Sequence, residues 1–208
     1  MQKFIVAALL AQGLGMAQAQ AQAQAQAPAP APAPAPASQA EAPWVADARK
    51  VSMSVPPKLL AVLQEEIARG GPEGAILVCR DQAPQLARAA SLESGWTVRR
   101  VSLRNRNPKA VPDAWERAGL EDFDRRAAAG EPPGTLEVAA VVVVDGKPTQ
   151  RYLRALPTAA LCTQCHGPAD KLSPAVVAQL KALYPDDRAT GYQVGDIRGA
   201  MTLSRAVP

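Results

Sequence analysis

The stretch LEVAAVVVVDGKPTQRYLRAL, residues 136–156, decides the fold. Leu136 to Val144 is dense in valine, whose branched side chain suits a strand, and the run is expected to be buried. Asp145-Gly146 supplies the chemistry of a two-residue turn, and Thr149 to Leu156 returns as the second arm of a hairpin.

Upstream, Trp96 to Arg104 alternates apolar and polar residues and predicts a strand, with a bulge at Arg99-Arg100 where the alternation slips. Asn105 to Pro112 is turn chemistry. Asp113 then caps a helix carrying Trp115, Leu120 and Phe123. Earlier still, Lys58 to Arg69 sets Leu59, Leu60, Leu63 and Ile67 on one helical face, and Gly70-Gly71 ends it. A second helix starts near Pro72 and runs through Ala75 to Cys79. Pro84 bends or restarts it before Leu86 to Leu92, and Gly95 breaks it. Downstream, helices are expected around Ala159 to Cys165 and from Ser173 to Leu183, with a last strand over Gly199 to Arg205. Helices segregated around a short antiparallel sheet make an α+β domain.

The beginning of the chain reads differently. Lys3 gives a positive n-region, Phe4 to Leu14 an apolar h-region, and Ala17-Gln18-Ala19 the small residues of a cleavage site. Residues 1–19 are therefore expected to be a secretory signal. The apolar run falls short of the roughly 20 residues that span a bilayer, so no stable membrane insertion is expected once it is removed. Alternating Ala-Gln and Ala-Pro repeats follow. Proline at every second position removes donors and fixes φ, so residues 20–43 are expected to be an extended tether. The folded domain is placed over residues 44–208 and its compartment is the periplasm.

A net charge of +4 with no block of like charge excludes a nucleic-acid binder. Aromatic residues make up only 4% of the chain, so the core would gain from a bulky apolar cofactor. Cys162-Thr163-Gln164-Cys165-His166 supplies the means to hold one. Two thiols three residues apart on a helical turn can reach the two vinyl groups on one porphyrin edge, and the adjoining histidine swings under the iron. A thioredoxin-like pair would need a βαβ unit before Cys162, and none precedes it. A zinc site would have to borrow Cys79 or a carboxylate as a fourth ligand. A plain disulfide leaves His166 unexplained. One covalently bound haem c is the expected cofactor.

His166 is the only histidine, so bis-histidine ligation within the chain is excluded. Cys79, Met53, Met201, a lysine or an open position remain for the second axial site. Cys79 sits in an apolar run, where an inert core thiol is the plain alternative. An unpaired thiol in an exported protein is nevertheless open to oxidation, and iron would shield it. Met201 follows a flexible Gly199-Ala200. Arg100, Arg104 and Arg106 alternate along a strand and its exit, where they could share one face and meet the haem propionates. Asn107 and Tyr192 are candidate hydrogen-bonding neighbours.

From Gly74 to Thr202 the chain resembles the periplasmic single-haem proteins labelled "c-type haem family protein". The motifs that carry the resemblance are Ala75-Ile76 to Cys79 with Ala83-Pro84, Arg100 to Leu103 with Arg106-Asn107-Pro108, and Pro112-Asp113 with Trp115-Glu116. They continue, in order, with Cys162 to Gly167, Tyr184-Pro185-Asp186, Gly191-Tyr192, Gly195-Asp196 and Arg198-Gly199-Ala200. Lys109, where Asn is more usual nearby, and the Ala-Pro tether depart from the pattern. The resemblance implies a PAS-like antiparallel sheet with flanking helices around the haem, and His/Cys axial ligation by His166 and Cys79. It implies single-electron transfer or redox sensing with a protein redox partner, more than an enzyme. A sensor of CO or NO and a sulfur-compound-oxidising cytochrome are the alternatives.

Overall fold

The computed structural model describes residues 41–207. The expected signal peptide and residues 20–40 of the expected tether lie outside the described residues.

Helix α1 (Pro43–Ser94) would be roughly 78 Å long if straight, at 1.5 Å per residue. It is not straight. The rings of Trp44 and Trp96 lie 6.2 Å apart, and Trp96 Nε1 donates to Asp47 Oδ2 at 2.8 Å. The chain doubles back at Gly70-Gly71, the two residues of α1 with non-helical backbone. Gly71 has φ 72°, a left-handed conformation that glycine adopts without a Cβ penalty. The element is thus a helical hairpin. Its first arm starts at Pro43, well before the expected Lys58, because Trp44, Ala48, Val51 and Val55 already form an apolar stripe. Pro84 lies inside the second arm without ending it.

Four strands form one antiparallel sheet in the order β1-β4-β3-β2: β1 (Thr97–Val101), β2 (Glu137–Val144), β3 (Lys147–Pro157) and β4 (Ile197–Ala206). The hairpin of β2 and β3 turns on Asp145-Gly146, both at positive φ, and pairs in register from Val144↔Lys147 to Glu137↔Arg154. Both faces of the sheet are covered. Trp96, Val98, Tyr152, Met201 and Leu203 pack on Ala48, Val55 and Ala90 of α1. On the other face Val101, Leu153, Ala155 and Ala200 pack on Leu120 and Phe123 of α2 (Ala114–Ala128). The α+β class holds, and the sheet with flanking helices is the arrangement the PAS-like reading requires.

Double coverage explains two departures from expectation. Strand β1 ends at Val101 and carries no bulge; its pairing with β4 is regular from Thr97↔Ser204 to Val101↔Ala200. Val98 and Val101 are both apolar because they face opposite layers, not because the register slips. Strand β2 is an edge rather than a buried strand, and Val141 and Val143 are exposed at 54% and 73%.

Two carboxylates, the half-buried Glu137 and the buried Glu116, fasten the layers. Glu137 accepts from Tyr152 Oη at 2.6 Å and Arg154 Nη1 at 2.8 Å, and it pairs with Arg49 of α1. Glu116 of α2 accepts from Thr202 Oγ1 at 2.9 Å and from Arg151 at 3.0 Å, while Asp113 completes a capping box at the start of the helix.

Candidate haem site

The motif lies on one turn of 3-10 helix (Ala160–Cys162) and the short α3 (Thr163–His166), a tighter form of the expected helix. Gly167 ends it. A Cβ at Gly167 would run into the carbonyl of Thr163, so only glycine lets the chain leave α3 this closely. The tip of the α1 hairpin packs beside it. Cys165 Sγ lies 3.7 Å from the Pro72 carbonyl, and Ile76 joins Val176 and Leu180 of α4 (Pro174–Leu183) in a small apolar cluster that Cys165 flanks. Ser173 caps α4 as its position predicts.

His166 is held by the loop after α4. Tyr192 N donates to the His166 carbonyl at 2.9 Å and Gly191 N to the Gly167 carbonyl at 2.7 Å. That loop presents the Ala189 carbonyl to His166 Nδ1 at 2.7 Å. A carbonyl only accepts, so this contact is satisfied when Nδ1 carries the proton, and Nε2 then keeps its lone pair for a metal. Burial, then Arg198 and Arg106, hold the imidazole well below its ordinary pKa, so it is neutral. The loop is fixed in turn by Asp187, which accepts from Ala189 N at 2.8 Å and pairs with Arg106 at 3.0 Å. Arg106 also donates to the Cys165 carbonyl at 2.6 Å.

None of the three cysteines is in a disulfide. Cys79 and Cys165 share a local field, because the charge of Arg106 reaches both. Burial pushes the Cys165 thiol up to about 11 and also raises Cys79, against the pull of Arg100 and Arg106. Both therefore stay protonated near neutrality, which slows attack by a thiolate and premature pairing. Among the described residues no three His, Cys, Asp or Glu side chains converge to hold a metal ion, so the zinc reading lacks its ligand cluster.

Arg100 is half-buried and has no hydrogen-bond or ion-pair partner among the described residues. Burial lowers its pKa, and the groups that act against this are Cys79, Cys162 and Tyr192, with no carboxylate among them. A half-buried guanidinium without a counter-ion is a donor that a carboxylate such as a propionate can use. This donor set fits a haem.

The three expected arginines do not share a strand face, because β1 ends before Arg104. Arg100 is half-buried on β1, Arg106 is spent on Asp187 and α3, and Arg104 stacks over the Tyr192 ring at 4.2 Å. Tyr192 itself is buried and meets His166 edge-on, with ring centroids 6.4 Å apart. Asn107 acts on its own backbone instead, since its Oδ1 accepts from Lys109 N and caps the 3-10 turn Pro108–Ala110. Met201 is packed in the α1-face core, and Met53 is 52% exposed. A cavity of about 440 Å³ beside Tyr192, Arg104, Leu120 and Ile197 lies against α2, and no cysteine lines it. Ser102, Asp187, Ala189 and Arg198 complete the site without having been singled out in the sequence. Ser102, inside the Arg100 to Leu103 motif, and Arg198, inside the Arg198-Gly199-Ala200 motif, carried a signal.

A sheet of this order, covered on both faces, with a Cys-x-x-Cys-His turn seated under a helical hairpin that brings a third cysteine, defines a single-haem protein of the c-type haem family class. The family model described as Tll0287-like (Tll0287) matches residues 9–206. The chain belongs to the Tll0287-like family. A solved structure titled as the crystal structure of the cyanobacterial haem protein Tll0287 is similar at a TM-score of 0.55 and 25% identity, over 79% of this chain and 92% of that one. A search of the curated proteins found no match.

Proposed function

We propose that this chain is an exported, periplasmic cytochrome with one haem c, working in single-electron transfer or redox sensing with a protein redox partner. The observation that carries this is the Ala189 carbonyl on His166 Nδ1, 2.7 Å away, which fixes the tautomer a haem ligand needs within a Cys-x-x-Cys-His turn. Membership of a family whose solved relative is a haem protein supports it.

Cys162 and Cys165 would each add across one vinyl double bond. Sulfur bonds to one carbon and the thiol hydrogen goes to the other, with no net oxidation and no leaving group. A bound haem supplies a one-electron couple. His166 and Cys79 are the axial donors in this reading, and Arg100 receives a propionate.

The test is the exported, purified chain extracted with acidified acetone. Haem is expected to stay with the protein, and its loss to the solvent would end this reading. Replacing Cys79 by Ser is expected to move the ferric spectrum from low-spin toward high-spin and to raise the potential, since thiolate donation is lost. An unchanged spectrum would return Cys79 to the core.

The gas-sensor alternative would require Cys79 to leave the iron on reduction. Carbon monoxide added to the ferrous protein would then shift the Soret band. No shift assigns the protein to electron transfer.

A further inference from the structure

Arg198 stands behind His166, on the side away from Nε2. It is 6% exposed and is the second residue of β4. Its Nη1 donates to Ser102 Oγ at 3.1 Å and to the Arg104 carbonyl at 3.4 Å, and its guanidinium lies 5.2 Å from the centroid of the Tyr192 ring. Its Nε is 3.1 Å from His166 Nδ1. Ser102 in turn donates to the Arg198 carbonyl at 2.9 Å, so side chain and backbone are pinned together. Arg106 has Asp187 as its counter-ion, whereas Arg198 has no carboxylate in ion-pair contact among the described residues. The site therefore carries a buried cation that its own surroundings do not neutralise.

We propose that Arg198 is a positioning residue that acts through His166 to raise the reduction potential of the haem iron, opposing the Cys79 thiolate. The inference rests on the haem reading above. Two effects of the same sign produce it. A fixed positive charge in a poorly solvated site disfavours the more positive, oxidised state of the iron, and burial leaves this interaction little screened. The second effect runs through the imidazole. A ligating histidine commonly gives its other N–H to a carboxylate, which makes the ring a stronger donor. Here that N–H meets the neutral Ala189 carbonyl with a guanidinium alongside, and a cation at this position withdraws density from the ring. Arg198 thus weakens the histidine as a donor, and a weaker donor favours the reduced iron.

A purely structural role would have Arg198 pin β4 to Ser102 and nothing more. Charge separates the two accounts. Arg198→Lys keeps the charge and loses the fork, and Arg198→Gln keeps the hydrogen-bonding reach and loses the charge. The measurement is a spectroelectrochemical titration of the full, exported, haem-loaded chain, with haem per protein and the ferric Soret band recorded on the same samples.

For Arg198→Gln we expect at least a tenfold shift of the ferric-to-ferrous ratio toward ferric at a fixed applied potential, equivalent to about 59 mV for one electron. The iron–histidine stretch in resonance Raman is expected to rise in the same variant. Arg198→Lys is expected to stay within about threefold of the unmodified chain. Should Arg198→Gln fail to load haem, Ser102→Asp gives a carboxylate to the same guanidinium and is expected to shift the ratio in the same direction. A Gln variant equal to the unmodified chain, a Lys variant that falls as far as Gln, or a Ser102→Asp chain at the unmodified potential would each overturn the role. Absence of covalent haem from the unmodified chain is read before any variant is made, and it removes the haem reading itself.

Discussion

Asp187 does more for the site than any residue except the motif itself, because one carboxylate serves two sides. One oxygen holds Arg106, which holds the Cys165 carbonyl, and the other holds Ala189 N, whose own carbonyl aims His166. Asp187 is only 11% exposed, so removing it strands a buried guanidinium. Asp187→Ala is expected to cost about 3 kcal/mol of folding stability, measured by urea unfolding, and to lower the haem retained per chain. Tyr152 gives a different test. Burial first, and then its bond to Glu137, push its phenol up to about 12. The folded chain therefore keeps this proton more tightly than the unfolded chain, whose tyrosine titrates near 10. The resulting stability is whole below about pH 10, is lost as pH rises toward about 12, and amounts to about 3 kcal/mol at most. Unfolding of Tyr152→Phe is expected to lose that alkaline slope. The sequence made Cys162, Cys165, His166 and the Asp113 cap legible, since each is a local pattern. Asp187, Ala189 and Arg198 were not, because their work depends on a loop folding back onto residues 166 and 167.

At the scale of elements, the glycine pair at residues 70 and 71 matters most. It turns one long helix into two arms that lie on the same sheet face, and it puts Pro72, Ile76 and Cys79 near the motif. The pair read as a stop signal in the sequence, as it should. Its consequence, an antiparallel return, was carried by the stripe from Trp44 to Val55, which the prolines at 56 and 57 disguised. The valine run of β2 misled for another reason. Composition reports that a strand forms but not whether it is central or at an edge, and helices cover the sheet away from the distal end of this hairpin. From Val138 to Val144 the edge carries no charge, proline or bulge, the usual guards against pairing with another chain. Val143→Lys is expected to leave the far-UV spectrum unchanged and to reduce light scattering on heating, because Val143 points to solvent.

On the scale of the molecule, the strand order sets when the structure can close. Strand β4 follows every other described element in the sequence, yet it lies between β1 and β3 and is buried along most of its length. Until it arrives, β1 has no partner in the sheet and the hairpin of β2 and β3 has one edge with nothing to complete it. A chain ended before Ile197 is expected to show no cooperative unfolding transition by circular dichroism, and a cooperative one would deny β4 this closing role. The Cys-x-x-Cys-His motif, at 162–166, comes before β4 in the chain. In a chain that emerges from its N-terminus onward, the two thiols would therefore be presented while the sheet is still open. Assembly has a built-in order in time: the cysteines of the motif come first, and the strand that carries Arg198 in behind the histidine comes after them and shuts the fold.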